Sequence, residues 1–251
     1  MDVITREVET MLKINQLSVR YSDGNQVLKQ LSFTIESGET VGIVGANGAG
    51  KSTLLKSIVG ILIPEEGMIE INGIGVTKKN LREIREMVGV IFQNPEDQLF
   101  MSNVYDDIAF GLRNYGVEEE TIKDKIAQIL RSLGIERLQN HNSNKLSGGE
   151  KRLVAIATIL VMQPQVVLFD EPTSFLDPRT RRKLIDLLRG LPMTKLIATH
   201  DLDMALDLCD RVIILSEGQL FDQGNAKELL SDQALMEKAG LELPFCFQRT
   251  K

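Results

Sequence analysis

The sequence predicts an α/β fold, and three observations carry that prediction. The run Thr40-Val41-Gly42-Ile43-Val44 is short and β-branched, as a buried parallel strand should be. A glycine-rich loop follows it, and residues 54–59 beyond the loop have helical apolar spacing. Further short apolar runs at residues 88–92, 166–169 and 196–199 suit the same central sheet, with helical stretches between them.

The remaining elements follow in order. Residues 1–11 are polar and charged and read as an N-terminal extension. The alternating runs 12–19 and 31–35, joined by Tyr21-Ser22-Asp23-Gly24-Asn25, read as an antiparallel pair. Residues 105–113 and 121–133 are polar-faced helices, so a helical subdomain is expected at about residues 97–160. Residues 211–215 and 220–222, on either side of Glu217-Gly218-Gln219, read as a final hairpin. One or two helices close the fold at residues 226–240, leaving 241–251 as a short tail.

Composition sets outer bounds. A chain of 251 residues with 43% hydrophobic and 25% charged residues fits one large soluble α/β domain or two small ones, with an ample core. Its net charge of −6 argues against nucleic acid as a partner. Two cysteines, Cys209 and Cys246, provide neither a disulfide framework nor metal spacing, so a reducing cytoplasm is expected. The most apolar stretch, residues 153–162, is too short to span a bilayer, and the polar start is unlike a secretory signal. Any membrane in this protein's function would have to come through another chain.

The loop Gly45-Ala46-Asn47-Gly48-Ala49-Gly50-Lys51-Ser52-Thr53 carries the chemistry. Glycines let the backbone curl so that N–H groups point inward, where a helix start adds partial positive charge. That is a phosphate cradle. Lys51 would reach the β- and γ-phosphates of a nucleoside triphosphate, and Ser52 would bind Mg²⁺. The apolar run Val166-Val167-Leu168-Phe169 ends in Asp170-Glu171. Asp170 is expected to complete the Mg²⁺ shell, and Glu171 to position or deprotonate the attacking water.

Leu146-Ser147-Gly148-Gly149-Glu150 opens a strongly helical run and forms a second anion-attracting helix start. One nucleotide is not expected to occupy two helix starts so far apart in the chain. A dimer is therefore expected, in which Ser147, Gly148 and Gly149 contact nucleotide held by the partner. Taken alone, Ser-Gly-Gly-Glu is also simply a good helix cap.

Phosphate loop, Leu146–Glu150 segment, Asp170-Glu171-Pro172-Thr173, Leu176-Asp177-Pro178 and Ala198-Thr199-His200-Asp201 together resemble, in this order, the ABC-type ATPases. The resemblance covers residues 12–240 and implies one ATPase domain, a P-loop core with an antiparallel β subdomain and an inserted helical subdomain. It also implies ATP and Mg²⁺ as ligands and several further roles. Tyr21 would stack on adenine, Gln93 would link Mg²⁺ and the γ-phosphate to a membrane partner, Asp177 would lie at the subunit contact, and His200 would hold the γ-phosphate or the water.

A narrower likeness lies in Val90-Ile91-Phe92-Gln93-Asn94-Pro95-Glu96-Asp97-Gln98-Leu99-Phe100, in Val104 to Gly111, and in Gly240-Leu241-Glu242-Leu243-Pro244. These resemble the ATPases of energy-coupling factor (ECF) importers of vitamins or transition-metal ions. The likeness implies a peripheral protein on the cytoplasmic face of the membrane, partnered by a coupling membrane protein, a substrate-binding membrane protein and a second ATPase. Leu99 and Phe100, near Glu96 and Asp97, would suit a groove for the coupling protein. Another class of ABC transporter, or a non-transport ABC protein, is the alternative. Against the second, only 94 residues lie between Lys51 and Leu146, leaving no room for a long coiled-coil insertion.

Three departures from the pattern stand out. Leu153 replaces an arginine common in such ATPases, although Arg152 is adjacent. Phe175 takes a place usually held by a small residue, and the tail after Pro244 is short. They point to a heterodimer rather than a homodimer.

Overall fold

The computed structural model describes residues 9–248. In chain order the elements begin with β1 (Thr10–Arg20), β2 (Gln26–Glu36), β3 (Thr40–Val44), α1 (Lys51–Ile58), β4 (Glu66–Ile71), β5 (Ile74–Gly75) and α2 (Leu81–Met87). They continue with β6 (Val88–Ile91), α3 (Val104–Asn114), α4 (Glu119–Ser132), α5 (Gly148–Leu160), β7 (Val166–Asp170) and α6 (Pro178–Arg189). The last are β8 (Thr194–Thr199), α7 (Leu202–Leu208), β9 (Arg211–Ser216), β10 (Gln219–Asn225), α8 (Ala226–Ser231) and α9 (Gln233–Lys238). Of the expected N-terminal extension, residues 1–8 lie outside the described residues, while Thr10 and Met11 are already strand. No helix among the described residues is long and apolar enough to cross a membrane.

The described residues divide into two compact units. One runs to Arg85 and resumes at Pro192; the other is Glu86–Leu191. In the first unit β1 pairs antiparallel with β2, setting Leu12 against Ile35 and Ile14 against Phe33. Its other edge pairs with β4, where Ile14 meets Ile69, and β5 extends the sheet beyond. The alternation of β1 and β2 turns one face of this sheet into core, as period-2 patterning requires. A second sheet in the same unit is mixed. There β3 lies between β8 and β9, parallel to both, and β10 returns antiparallel to β9. All five residues of β3 and all six of β8 are buried, the mark of strands covered on both faces.

In the second unit β6 and β7 pair in parallel, from Val88 opposite Val166 to Ile91 opposite Phe169. Around α3, α4 and α5 lies a separate apolar cluster that includes Leu99, Val104, Ile108, Ile122, Ile126 and Val154. The apolar faces of α3 and α4 recur at helical spacing and would be unstable in water without it. Leu99 belongs to this core, at 6% exposure, whereas its neighbour Phe100 is 62% exposed. The expectation that both residues line a docking groove therefore holds for the exposure of Phe100 and fails for Leu99.

Candidate functional site

In the first unit, residues 45–50 join β3 to α1. Gly45 passes so close to β9 that a Cβ there would sit 2.4 Å from the Leu215 carbonyl oxygen. Gly50 caps α1 with φ 104, and a side chain on it would meet Leu28 at 2.5 Å. Only glycine serves at both places, because one needs the space and the other needs the left-handed backbone as well. Gly50 offers no side-chain cap, so the N–H groups of the first turn of α1 look into the loop. Lys51 is buried, and its ammonium donates to the carbonyl oxygens of Gly45 (2.7 Å) and Ala46 (3.3 Å). A cation is thereby held inside a curl of backbone donors, an arrangement that attracts a phosphate chain.

Two expected residues sit beside this loop. The Tyr21 hydroxyl lies 3.1 Å from Thr53 Oγ1, tying the aromatic ring to the first turn of α1. His200 follows Thr199, whose register partner across the sheet is Val44. The two chains leave the sheet side by side, one as Gly45 and the other as His200. Asp201 caps α7 through the Met204 N–H and holds the backbone after His200 in place.

The second unit gathers the rest. Since Ile91 pairs with Phe169, Gln93 leaves β6 next to Asp170 and Glu171 leaving β7. Glu171 is buried and stands at φ 47, a left-handed conformation uncommon outside glycine and costly for a side chain as long as glutamate. Such a residue persists only where its surroundings hold it.

The start of α5 is a complete capping box. Ser147 accepts from the Glu150 N–H, and Glu150 accepts from both the backbone N–H (3.0 Å) and the hydroxyl (2.8 Å) of Ser147. Those bonds, with Arg137 2.6 Å away, hold the Glu150 carboxyl down at about 2. Ser147 and Gly148 are exposed at this helix start. Asp177 caps α6 by accepting from the N–H groups of Arg179 and Thr180 and from the Thr180 hydroxyl (2.6 Å). The Thr180 hydroxyl lowers the Asp177 carboxyl below its usual range, with the backbone bonds adding to the effect. A Cβ on Gly149 would fall 2.9 Å from Thr180 Cγ2, so the two helix starts carrying Ser147, Gly148, Gly149 and Asp177 stand side by side.

Sequence reasoning undervalued one residue. Arg152 is 2% exposed, and its guanidinium donates to the carbonyl oxygens of Phe92 (2.6 Å) and Gln93 (2.5 Å). Burial lowers its pKa from the ordinary guanidinium value. Its neighbour Leu153 instead packs against the apolar cluster. The signal was there to read: Arg152 shares the buried face of α5 with Ala155 and Ile156, and a charge on an apolar face needs a partner.

A glycine-rich cradle between a buried parallel strand and a helix start, with Tyr21 and His200 beside it, is the mark of a P-loop core. The chain belongs to the ABC transporter family, whose model matches residues 28–174. An ABC transporter ATP-binding protein of Gloeobacter violaceus is 45% identical over 95% of this chain and 98% of that protein. The energy-coupling factor transporter ATP-binding protein EcfA of Methanocaldococcus jannaschii is 42% identical over 93% and 86%. Among solved structures, cbiO1 of Clostridium perfringens, part of the ABC transporter complex cbiONQ, superposes with a TM-score of 0.82. It is 38% identical, with 92% of this chain and 95% of that one covered. The protein is thus an ABC ATPase close to the ECF group, and ATP hydrolysis coupled to transport is its chemistry.

Among the described residues no cluster of three or more His, Cys, Asp or Glu side chains is arranged to hold a metal by itself. Ser52 in the first unit, and Gln93 and Asp170 in the second, each carry an oxygen donor of the kind Mg²⁺ takes, an ion that keeps few protein ligands and draws the rest from phosphates and water.

Proposed function

We propose that this chain supplies the energy for an ECF-type importer of a vitamin or transition-metal ion, as one half of an ATPase dimer on the cytoplasmic face of the membrane. The observation that carries this reading is the 42% identity to EcfA across nearly the whole chain. The single ATPase domain spans residues 12–240, and its helical subdomain, about 97–160, meets a coupling membrane protein that works with a substrate-binding membrane protein. The exposed Phe100 ring packs edge-on against Phe110 at 4.8 Å and supports that contact, since an exposed aromatic pair is a natural anchor.

In this reading residues 45–53 hold the triphosphate, and Lys51 bridges the β- and γ-phosphates. Tyr21 stacks on the adenine. Ser52, Gln93 and Asp170 hold Mg²⁺, which when bound draws charge off the phosphate oxygens. Glu171 orients the attacking water and takes its proton, while His200 fixes the γ-phosphate or that water. Ser147, Gly148, Gly149 and Asp177 act on nucleotide held by the second ATPase. A heterodimer is favoured over a homodimer, because the chain departs from the family pattern at Leu153 and Phe175, the second in the loop leading to Asp177.

Glu171→Gln tests the assignment. ATP affinity should stay near wild type while hydrolysis slows about 100-fold or more, the scale of a lost general base. Sedimentation of that variant with ATP and Mg²⁺, alone and with a co-expressed second ATPase, reads the assembly. Hydrolysis at wild-type rate would remove Glu171 from catalysis, and full activity from a strict monomer would end the dimer reading.

A further inference from the structure

We infer that Arg152 is a positioning residue that makes Gln93 in one ATP site answer to nucleotide engaged at the start of α5. The inference rests on the reading above that Ser147, Gly148 and Gly149 contact the partner's nucleotide.

The geometry is that of a clamp. The guanidinium fork takes two consecutive carbonyls, Phe92 at 2.6 Å and Gln93 at 2.5 Å, from a buried position on α5. Two N–H groups in one rigid plane fix the orientation of both peptide groups, and so the direction in which the Gln93 side chain leaves the backbone. The same helix fastens the segment beyond Gln93 at two more points. Lys151 pairs with Glu96, and the Gln98 amide nitrogen donates to the Ala155 carbonyl (2.7 Å) and the Thr158 hydroxyl (2.7 Å). The Gln93 segment is therefore carried on the first turns of α5 and follows any displacement of that helix.

The distance over which a signal would travel is short. Arg152 lies four residues from Gly148, about 6 Å along a stiff helix. An anion drawn to the helix start moves or steadies α5 as a body, and the fork passes that to the Gln93 backbone without an intervening flexible element. Arg152 Nε has no hydrogen-bond partner among the described residues, so the side chain is not there to satisfy a general polar network. What its charge serves is the pair of carbonyls at residues 92 and 93. A lysine would meet them as a point charge, without the planar fork that fixes their orientation.

The test compares wild type, Arg152→Lys and Arg152→Met as the assembled dimer. Nucleotide affinity is read on each isolated chain with a fluorescent ATP analogue. Steady-state ATPase gives kcat, KM and the Hill coefficient, and hydrogen exchange follows residues 92–98 with and without ATP in the Glu171→Gln background. Arg152→Met should leave affinity within about twofold, lower kcat at least tenfold, abolish cooperativity in ATP, and leave exchange at residues 92–98 fast whether or not ATP is added. Arg152→Lys should recover part of kcat. Unchanged kcat and Hill coefficient overturn the inference, as does a loss of affinity and kcat together with no recovery in the lysine variant. If wild type itself shows no ATP-driven association, the parent reading of the α5 start fails and this inference fails with it.

Discussion

Replacing Gly148 by alanine separates folding from partner contact with a single methyl group. Gly148 is the first residue of α5, its φ is not in the left-handed region, and a Cβ built on it meets nothing within 4 Å. The methyl therefore adds no strain and removes no contact. Alanine restricts the unfolded chain more than glycine does, which stabilises the fold by about 0.4–1 kcal/mol. For a chain of this size that is a rise in Tm of roughly 1–4 °C. Gly149→Ala makes the contrast. Its Cβ would lie 2.9 Å from Thr180 Cγ2, and the Thr180 hydroxyl is tied to Asp177, so overpacking of about 1–3 kcal/mol should outweigh any gain. If Gly148 approaches a partner's phosphate, the methyl holds that oxygen off the N–H groups of the helix start. Losing one such donor costs on the order of 100-fold in kcat. The expected Gly148→Ala protein is thus slightly more stable yet at least tenfold slower. Thermal unfolding and ATPase rate in the assembled dimer read the two effects separately. A variant with wild-type rate would refute the contact, and a variant with lowered Tm would refute the open surface described at Gly148.

Phe100→Asp should weaken pull-down of the coupling membrane protein while nucleotide affinity stays unchanged, because the ring is exposed; Leu99→Asp should unfold the helical cluster instead, as a buried charge does. The Glu150 carboxyl, held down to about 2 by Ser147 and Arg137, stabilises the α5 start fully above the ordinary glutamate pKa of about 4.3 and loses that contribution as pH falls toward 2. Glu150→Gln should therefore lie below wild type in Tm by a constant margin from pH 7 to about 5, with the gap narrowing at lower pH; a gap that widens there would contradict the capping box as its source.

Much of the fold could be read because its signals are local. The runs Val41–Val44, Val166–Phe169 and Leu196–Thr199 at the heart of β3, β7 and β8 are short and carry no charge, and the glycines of residues 45–50 have one physical use between a strand and a helix. The two closing helices, α8 and α9, and the β9–β10 hairpin also fall where their caps and turn residues put them. The hairpin of β4 and β5 escaped attention although its turn is Asn72–Gly73, both at positive φ, the strongest short hairpin signal there is. Its strands hid the signal: β4 exposes its first three residues, and β5 is two residues long, so neither shows clean alternation. Helix α6 escaped for a different reason. Asp177 and Pro178 are an ideal cap and first residue, but the charged run Arg179–Lys183 after them delays the apolar spacing until Leu184, Ile185 and Leu188.

The site divides along the same line. Residues acting through backbone geometry, such as the cradle, were legible, because glycine has few reasons to recur. Residues acting through long-range packing were not. Leu99 and Phe100 are adjacent in sequence and alike in hydropathy, yet only the fold of α3, α4 and α5 decides which one turns inward. Phe175 shows the limit most clearly. It was legible as a departure from a small residue, but not that it would stand at φ 64 with 92% of its surface in water. A phenylalanine in that conformation gives up about 1–2 kcal/mol of backbone energy and exposes a large apolar ring besides. Glycine at this position would avoid both costs. The loop leads directly into Asp177, whose helix start stands beside that of Ser147 and Gly149, so in the dimer proposed above the second ATPase chain would cover that ring.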